Sequence, residues 1–231
     1  MSDTDFGVDF DNDFDAVVRG DAEAFGVSLD EAQRERLLTF TRLLEKWNRS
    51  IRLTGPTDFL TLLREQVLEA LAFLPFVRRA EAWWDVGSGG GLPALVLALI
   101  EPERRFWLIE PIAKKVAFLK HAVQQFGLTN VTVFHGRLED DAEPPAAPRN
   151  AAGQEPPRAA MSRATFPPEI WYPLASRLVG EGGLVLIASV DRPMDLRPGE
   201  TLSQATVIAE EAYDLPATGA QRHLLLLKSN A

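Results

Sequence analysis

Hydrophobic residues change their spacing along the chain, and these changes predict helices that alternate with strands. In the first quarter, Leu37, Phe40, Leu44 and Trp47 recur every three or four residues, which is typical of an amphipathic helix. Further along, short unbroken apolar runs indicate buried strands, and helical patterns separate them. We predict strands over 82–85, 105–110, 131–134, 159–161 and 184–188, helices over 56–77, 93–100, 113–126 and 168–179, and a terminal hairpin from 206–208 and 223–227.

Strands that alternate with helices predict the α/β class, with a mostly parallel seven-stranded sheet of the Rossmann type. Residues 1–27 are predicted as an acidic, disordered arm, and residues 28–79 as an N-terminal helical appendage that begins with Ser28 as its cap. The α/β domain then covers residues 80–231, and a flexible Pro- and Ala-rich insertion occupies residues 140–158.

The composition is that of a globular domain, with 231 residues of which 46% are hydrophobic and 25% charged. No apolar run reaches the roughly 18 residues that a membrane helix needs, so we expect no membrane association. The chain has no cysteine, and His121, His135 and His223 are far apart in sequence, so neither disulfides nor a metal site are predicted. We expect a cytoplasmic monomer without metal.

The net charge of −9 is unevenly distributed. Residues 1–30 carry nine acidic residues and one arginine, whereas the rest of the chain carries 24 acidic and 23 basic residues. An acidic protein is a poor nucleic-acid binder, but an acidic arm can accompany a neutral body with local basic faces. The N-terminal helices are rich in arginine, and part of their surface is a candidate for contact with phosphate.

The most informative stretch runs from Asp85 through Gly87, Gly89 and Gly91 into an unbroken apolar run. Alternate glycines after a strand predict a tight turn, where the backbone takes positive φ or closely approaches a ligand. The helix that follows offers free N–H groups to a polar or anionic ligand group. An acidic residue before G-x-G-x-G is typical of enzymes that use S-adenosylmethionine (SAM), although Gly89, Gly91 and Ala94 also fit the dinucleotide pattern G-x-G-x-x-A.

The second predicted strand ends at Glu110, 19 residues after Gly91. An acidic residue at this distance accepts hydrogen bonds from the ribose hydroxyls of a nucleotide cofactor. Both SAM and NAD carry a ribose, so Glu110 is a cofactor-binding candidate with either one. Nothing in the sequence looks like a hydride-transfer site, which favours SAM.

Further motifs give the chain a resemblance to a known family. They are Lys46-Trp47-Asn48, the glycine motif continued by Leu92-Pro93, Lys114 to Leu119, Gly136 to Glu139, Ser162-Arg163-Ala164 and Arg222-His223-Leu224. From about Leu43 to Lys228 the chain resembles the RsmG family (also called GidB). These bacterial enzymes use SAM to methylate N7 of a guanine in 16S ribosomal RNA. The resemblance implies the class I methyltransferase fold, SAM as cofactor and the small ribosomal subunit as partner.

The resemblance also implies roles for individual residues. Gly87 and Leu92 are expected to contact SAM from the glycine turn, and Leu138 and Glu139 to lie against its adenine. Arg163 is expected beside the cofactor and the incoming base, as the catalytic residue. The complete expected cofactor-binding set is Asp85, Gly87, Gly89, Gly91, Leu92, Glu110, Leu138, Glu139 and Arg163.

The chain departs from the family pattern on the side expected to face RNA. Gln66, Glu69 and Ala70 stand where the family usually has His and then Asp-Ser, and Ser189 stands where it usually has Lys. Two other functions therefore stay open beside methylation of 16S ribosomal RNA. One is a SAM-dependent methyltransferase that acts on a small molecule or a protein, and the other is a paralogue that binds SAM or RNA without catalysis.

Overall fold

An eight-stranded sheet forms the centre of the molecule, and the computed structural model describes residues 8–138, 155–191, 201–202 and 205–230. The helices are α1 (Val8–Ala24), α2 (Glu31–Ile51), α3 (Phe59–Leu62), α4 (Leu74–Val77), α5 (Ala94–Ile100), α6 (Ala113–Gln125) and α7 (Pro168–Val179). The strands are β1 (Ala82–Val86), β2 (Arg105–Glu110), β3 (Val131–His135), β4 (Ala159–Arg163), β5 (Leu184–Ser189), β6 (Thr201–Leu202), β7 (Ala205–Asp214) and β8 (Gln221–Ser229).

The strand order across the sheet is β3-β2-β1-β4-β5-β8-β7-β6. The first five strands are parallel, and the β7–β8 hairpin continues the sheet in antiparallel fashion. The predicted α/β class, the strands and the hairpin are confirmed. The short β6 is an eighth strand that was not predicted. Two residues are too few to show the periodicity from which a strand is recognised in a sequence. The carboxyl ends of the parallel strands meet at one edge, where ligands bind in this architecture.

Helices cover both faces of the sheet, which explains why the parallel strands are apolar without alternation. Adjacent tryptophans in β1 point to opposite sides: Trp83 packs with the cluster that includes α2, α5 and α6, while Trp84 packs with the cluster that includes α7. Trp84 also meets Trp107 of β2 edge to face, with ring centroids 4.9 Å apart. The two faces therefore have separate apolar cores.

The N-terminal segment corrects one prediction, because Val8–Ala24 forms a helix within the arm that we expected to be disordered. Val18 and Ala22 are buried against the core, and Asp21 accepts two hydrogen bonds from Arg64, at 2.7 and 2.8 Å. The acidic composition suggested disorder, but the few apolar residues share a helix face that docks on the protein.

The predicted helix over 56–77 is instead a run of differently wound turns. Between α3 and α4, Leu63–Val67 forms a π turn and Leu68–Phe73 a 3₁₀ segment. We call the whole stretch from Phe59 to Val77 the α3–α4 run. The π turn carries Gln66 and the 3₁₀ segment carries Glu69, and both residues line the cleft described below. Irregular winding of this kind is frequent at functional sites.

Two further predictions concern the insertion and membrane-spanning helices. Most of the predicted insertion over 140–158, and Glu139 before it, lie outside the described residues. Every helix in the described part of the chain is too short or too polar to cross a lipid bilayer.

Candidate active site

A cleft of about 600 Å³ opens at the carboxyl edge of the parallel strands. Its lining comes mainly from the loop after α2, the α3–α4 run, the glycine turn after β1 and the loops after β4 and β5, and it is completed by Lys115, Tyr213 and Arg222. Ligand pockets for small molecules have volumes of roughly 300–1,000 Å³. The cleft can therefore hold a nucleotide-sized molecule at the edge where α/β sheets bind such ligands.

The glycine turn has the predicted backbone, with φ of 77° at Gly87, 53° at Gly89 and 76° at Gly91. These values lie in the left-handed region, which favours glycine. A Cβ atom on Gly87 would be 2.5 Å from the side chain of Thr165, and one on Gly91 would collide with Leu95 at the start of α5. Glycine therefore lets the turn approach both the loop after β4 and the helix that follows.

Glu110 at the end of β2 holds this turn in place. Its carboxylate is buried, and one oxygen accepts the N–H of Gly89 at 2.9 Å while the other accepts the N–H of Ile112 at 2.8 Å. Each carboxylate oxygen keeps a second lone pair, so a ribose hydroxyl can still donate to Glu110. The position and chemistry of Glu110 fit the ribose role, which stays a prediction.

Asp85 lies beneath the turn with 1% of its surface exposed, and its Oδ2 has no hydrogen-bond partner among the described residues. Burial raises the pKa of Asp85 to about 7, although the Ser88 hydroxyl and the positive charge of Arg163 oppose the shift. A buried acceptor without a donor is unusual in a folded protein. It fits a site that receives a donor or a positive charge from a ligand such as SAM.

Across the cleft from the turn, Arg163 at the end of β4 is held by side chains. It donates to Glu69 Oε2 at 2.7 Å and to Gln66 Oε1 at 2.8 Å. The nearly buried carboxylate of Glu69 also accepts from the Tyr213 hydroxyl at 3.2 Å and lies 3.7 Å from Nε of Arg222. We call these five residues the Glu69 network. It joins the α3–α4 run to β4, β7 and β8.

Ionisation states in the Glu69 network are set by its surroundings. Burial raises the pKa of the Tyr213 hydroxyl, and the negative charge of Glu69 raises it further, so Tyr213 remains a donor. Arginine can only donate, which means that the atom of Gln66 facing Arg163 is its amide oxygen. Thr54 donates to the same oxygen at 3.1 Å and connects the network to the loop after α2.

The structure brings together most of the expected site residues. Gly87, Gly89, Leu92 and Arg163 line the cleft directly. The other three members around the turn, which support it from within the fold, are Asp85, Gly91 and Glu110.

Leu138 stands apart, because it is buried in the apolar cluster that contains Trp107 and Ile109 and does not line the cleft. Glu139 lies outside the described residues. Lys115, Thr165 and Tyr213 also line the cleft, although no site role was predicted for them. Lys115 belongs to the motif from Lys114 to Leu119, whereas no motif in the sequence contains Tyr213.

Two solved structures of similar fold are O-methyltransferases. One is the O-methyltransferase TomG from Streptomyces achromogenes in complex with SAM, with a TM-score of 0.56, 18% identity, and coverage of 95% of this chain and 98% of that chain. Another is a putative O-methyltransferase from Klebsiella pneumoniae, with a TM-score of 0.52, 15% identity, and coverage of 96% and 100%. Together with the glycine turn at the carboxyl edge of the sheet, these likenesses show the Rossmann-like fold of class I methyltransferases.

Sequence comparison identifies the family. The family model GidB, rRNA small subunit methyltransferase G, matches residues 33–212. The ribosomal RNA small subunit methyltransferase G of Pseudomonas paraeruginosa is 33% identical over 94% of this chain and 96% of its own length. The enzyme of that name from Marinobacter nauticus is 42% identical over 53% of this chain and 57% of its own length. The chain belongs to the GidB family, as its motifs predicted.

Proposed function

We propose that this chain transfers the methyl group of SAM to N7 of a guanine in the 16S ribosomal RNA of the small subunit. The observation that carries the proposal is the cleft, in which the glycine turn and Arg163 line the same space. The family model and the relatives named above support ribosomal RNA as the acceptor. The guanine and its N7 atom follow from the resemblance noted in the sequence.

The residues present fit SAM as the bound cofactor. The backbone of Gly87, Gly89 and Leu92 offers a close-fitting surface, Glu110 offers a ribose acceptor, and Asp85 offers a buried carboxyl oxygen without a hydrogen-bond partner beneath them. When bound, SAM supplies a methyl group on a positively charged sulfur, and the electron pair of the broken C–S bond leaves with that sulfur. The turn from Gly87 to Leu92, which we call the glycine wall of the cleft, has the task of holding this group in a fixed place.

The acceptor requires orientation and no proton transfer. Guanine N7 has a lone pair and carries no proton, so the chain does not have to provide a general base. Fixing two reactants in the right geometry alone can remove several kcal/mol of a barrier. Arg163 is suited to this task, because arginine donors match the O6 and N7 edge of guanine. The Glu69 carboxylate keeps Arg163 in position.

The target base has to leave its stack to reach the cleft, as in other enzymes that modify a base. We place this reaction in the cytoplasm and expect the chain to act as a monomer on the small subunit.

The test is transfer of labelled methyl from SAM to small ribosomal subunits from cells that lack the modification. We expect label in the 16S RNA, recovered as N7-methylguanine after hydrolysis, and much less label with Arg163→Ala. A reaction without protein is the blank. If the chain binds SAM in a separate titration but no label appears in the 16S RNA, the proposal is contradicted. Label in ribosomal protein would redirect it to a protein acceptor.

A further inference from the structure

A second depression lies beside the cleft and shares Thr54 and Gly55 with its lining. It has a volume of about 470 Å³ and lies between the end of α2 and the start of α6. Its cationic lining residues are Arg49, Arg52 and Lys114. We call it the basic groove. Anything that fills the cleft and extends past Gly55 enters this groove.

The floor of the basic groove has a fixed shape. Asn48 is buried, and its Oδ1 accepts the backbone N–H groups of Leu53 at 2.6 Å and Thr54 at 3.0 Å. Its Nδ2 donates to the carbonyl of Pro56 at 2.6 Å. One buried side chain thus ties down the loop that separates the groove from the cleft. The groove is therefore more ordered than an ordinary solvated face.

Arg52 occupies a backbone position that usually belongs to glycine. It follows the last residue of α2 with φ of 45°, and its N–H donates to the carbonyl of Asn48. Left-handed residues at helix ends are usually glycine or asparagine, because a Cβ atom is unfavourable there. Among the described residues, the only other non-glycine with positive φ is Ala164, which lines the cleft. Strain of this kind is characteristic of functional positions.

The positive charge in the groove is largely uncompensated. Arg52 and Lys114 are exposed, and neither forms an ion pair with another described residue. Arg49 pairs with Glu45 at 3.1 Å, but 69% of its side chain remains exposed. By contrast, the arginines that pack between elements are paired with acids, as Arg64 is with Asp21. Three cations around one ordered groove fit an anionic partner.

We propose that the basic groove holds backbone phosphates of the RNA strand whose target base occupies the cleft. The inference rests on the proposed function, because RNA is the substrate assumed there. A base that is turned out into the cleft brings its flanking phosphates to the rim, and the groove begins at that rim. Arg49, Arg52 and Lys114 then supply affinity and register without reading sequence.

Arg52→Gly gives an unusually clean test, because glycine removes the charge and also relieves the strained backbone. We expect its Kd for small ribosomal subunits to rise about 5- to 10-fold, while its affinity for SAM and its thermal stability stay equal or improve. The plot of log binding constant against log salt concentration has a negative slope, which should become shallower by about 0.7 for each lost phosphate contact of a single strand. The triple variant Arg49→Gln, Arg52→Gly, Lys114→Gln should make the slope shallower by about 2.

Two further variants separate local contact from general charge. Arg52→Lys keeps the charge and should bind nearly as well as the original chain. Arg79→Gln removes an exposed arginine next to the amino end of β1, at the opposite edge of the sheet, and should leave binding unchanged.

The proposal is overturned if Arg52→Gly keeps both the affinity and the salt slope of the original chain, or if Arg79→Gln weakens binding equally. Binding of the groove cations to phosphatidylserine vesicles in place of RNA would also overturn it. The outcome stays separate from that of the methyl-transfer test. If the chain methylates RNA normally while the groove variants have no effect, only the groove proposal is refuted. If the chain binds no RNA at all, both the groove proposal and the proposed function are refuted.

Discussion

The two walls of the cleft are held by different kinds of contact. The glycine wall is fixed by its backbone: three residues take positive φ, and both oxygens of Glu110 accept backbone N–H groups. The facing wall is fixed by side chains, since Arg163 is held by Glu69 and Gln66, and Glu69 in turn by Tyr213. The first wall is built within residues 85–112, whereas the second joins residues 54 to 222.

This difference explains which changes each wall tolerates. A backbone turn requires glycine at fixed positions but asks little of the side chains around it. An ion-pair network accepts a different residue if the charge and the reach are kept. Glu69 shows this, because it stands where the family usually has Asp and its carboxylate still meets Arg163 at 2.7 Å. The departure at this position therefore keeps a carboxylate in the wall that carries Arg163.

The largest expected effect comes from Gly87→Val on the glycine wall. The new side chain would collide with Thr165, and a β-branched residue is strongly disfavoured at positive φ. We expect the Kd for SAM to rise at least about 100-fold, corresponding to about 2.7 kcal/mol, in calorimetric titration. Gly20→Ala is the matched control, because nothing lies within 4 Å of its new methyl group. Unchanged SAM affinity in Gly87→Val would show that the turn does not hold the cofactor.

Arg163→Ala should have the next largest effect, on the facing wall. Loss of the guanidinium removes the group that orients the base, and a misplaced reactant can cost about 100-fold in rate. We expect single-turnover methyl transfer to fall by about 100-fold and SAM affinity by clearly less. Equal losses in both measurements would mean that Arg163 belongs to the cofactor wall alone.

A smaller effect, on stability, is expected from Asp85→Asn. The pKa of Asp85 rises from its ordinary 3.8 to about 7 on folding, because its carboxyl group is buried. Between these pH values the unfolded chain has lost a proton that the folded chain keeps, so stability falls as pH rises from about 4 to about 7. Asparagine removes this penalty. The melting temperature of Asp85→Asn should therefore equal that of the original chain near pH 4 and exceed it increasingly toward pH 7.

Asp58→Asn serves as the control for this pH dependence. The pKa of Asp58 is lowered, chiefly because the backbone N–H of Thr61 donates to it. Asp58 thus contributes stability above its ordinary pKa and loses it as pH falls, which is the opposite sign. A melting difference for Asp85→Asn that does not vary between pH 4 and 7 would rule out a protonated Asp85 beneath the turn.

The smallest effect is expected at α1, which supports the wall that carries Arg163. Asp21 is nearly buried and forms two hydrogen bonds with Arg64 of the α3–α4 run. Asp21→Asn should lower the free energy of unfolding by about 2 kcal/mol in urea, because a charged hydrogen-bond partner is lost. Asp13→Asn, at an exposed position of the same helix, should change it by less than about 0.5 kcal/mol. Equal stability of the two variants would mean that α1 is not anchored through Asp21.

The same contrast between walls separates what the sequence could predict from what it could not. The glycine turn, Glu110 and the parallel strands are local signals, because each is written in a short run of residues. The side chain of Leu138, expected near the adenine by resemblance, is buried in the apolar core under α7, and its contact with the cofactor stays a prediction. A motif gives the order of residues but not the direction of a side chain.

The Glu69 network was beyond sequence reasoning for a different reason. Tyr213 and Glu69 are 144 positions apart, so only the folded sheet brings their side chains together. The helix α1 was missed because acidic composition outweighed a few apolar residues whose partners lie in α2 and the α3–α4 run. In both cases the deciding contacts join distant segments, which periodicity and local propensity do not report.

We propose that the Glu69 network positions the acceptor while the glycine turn separately holds SAM. The most direct test measures SAM affinity, kcat and KM for Glu69→Gln and Glu69→Asp beside the original chain. We predict that Glu69→Gln lowers kcat at least about 30-fold with SAM affinity within about 3-fold, because its neutral amide holds Arg163 less firmly than a carboxylate does. Glu69→Asp should restore most of kcat. Equal loss of SAM affinity and kcat in Glu69→Gln, or no loss of either, would show that the Glu69 network does not position the acceptor separately from the cofactor.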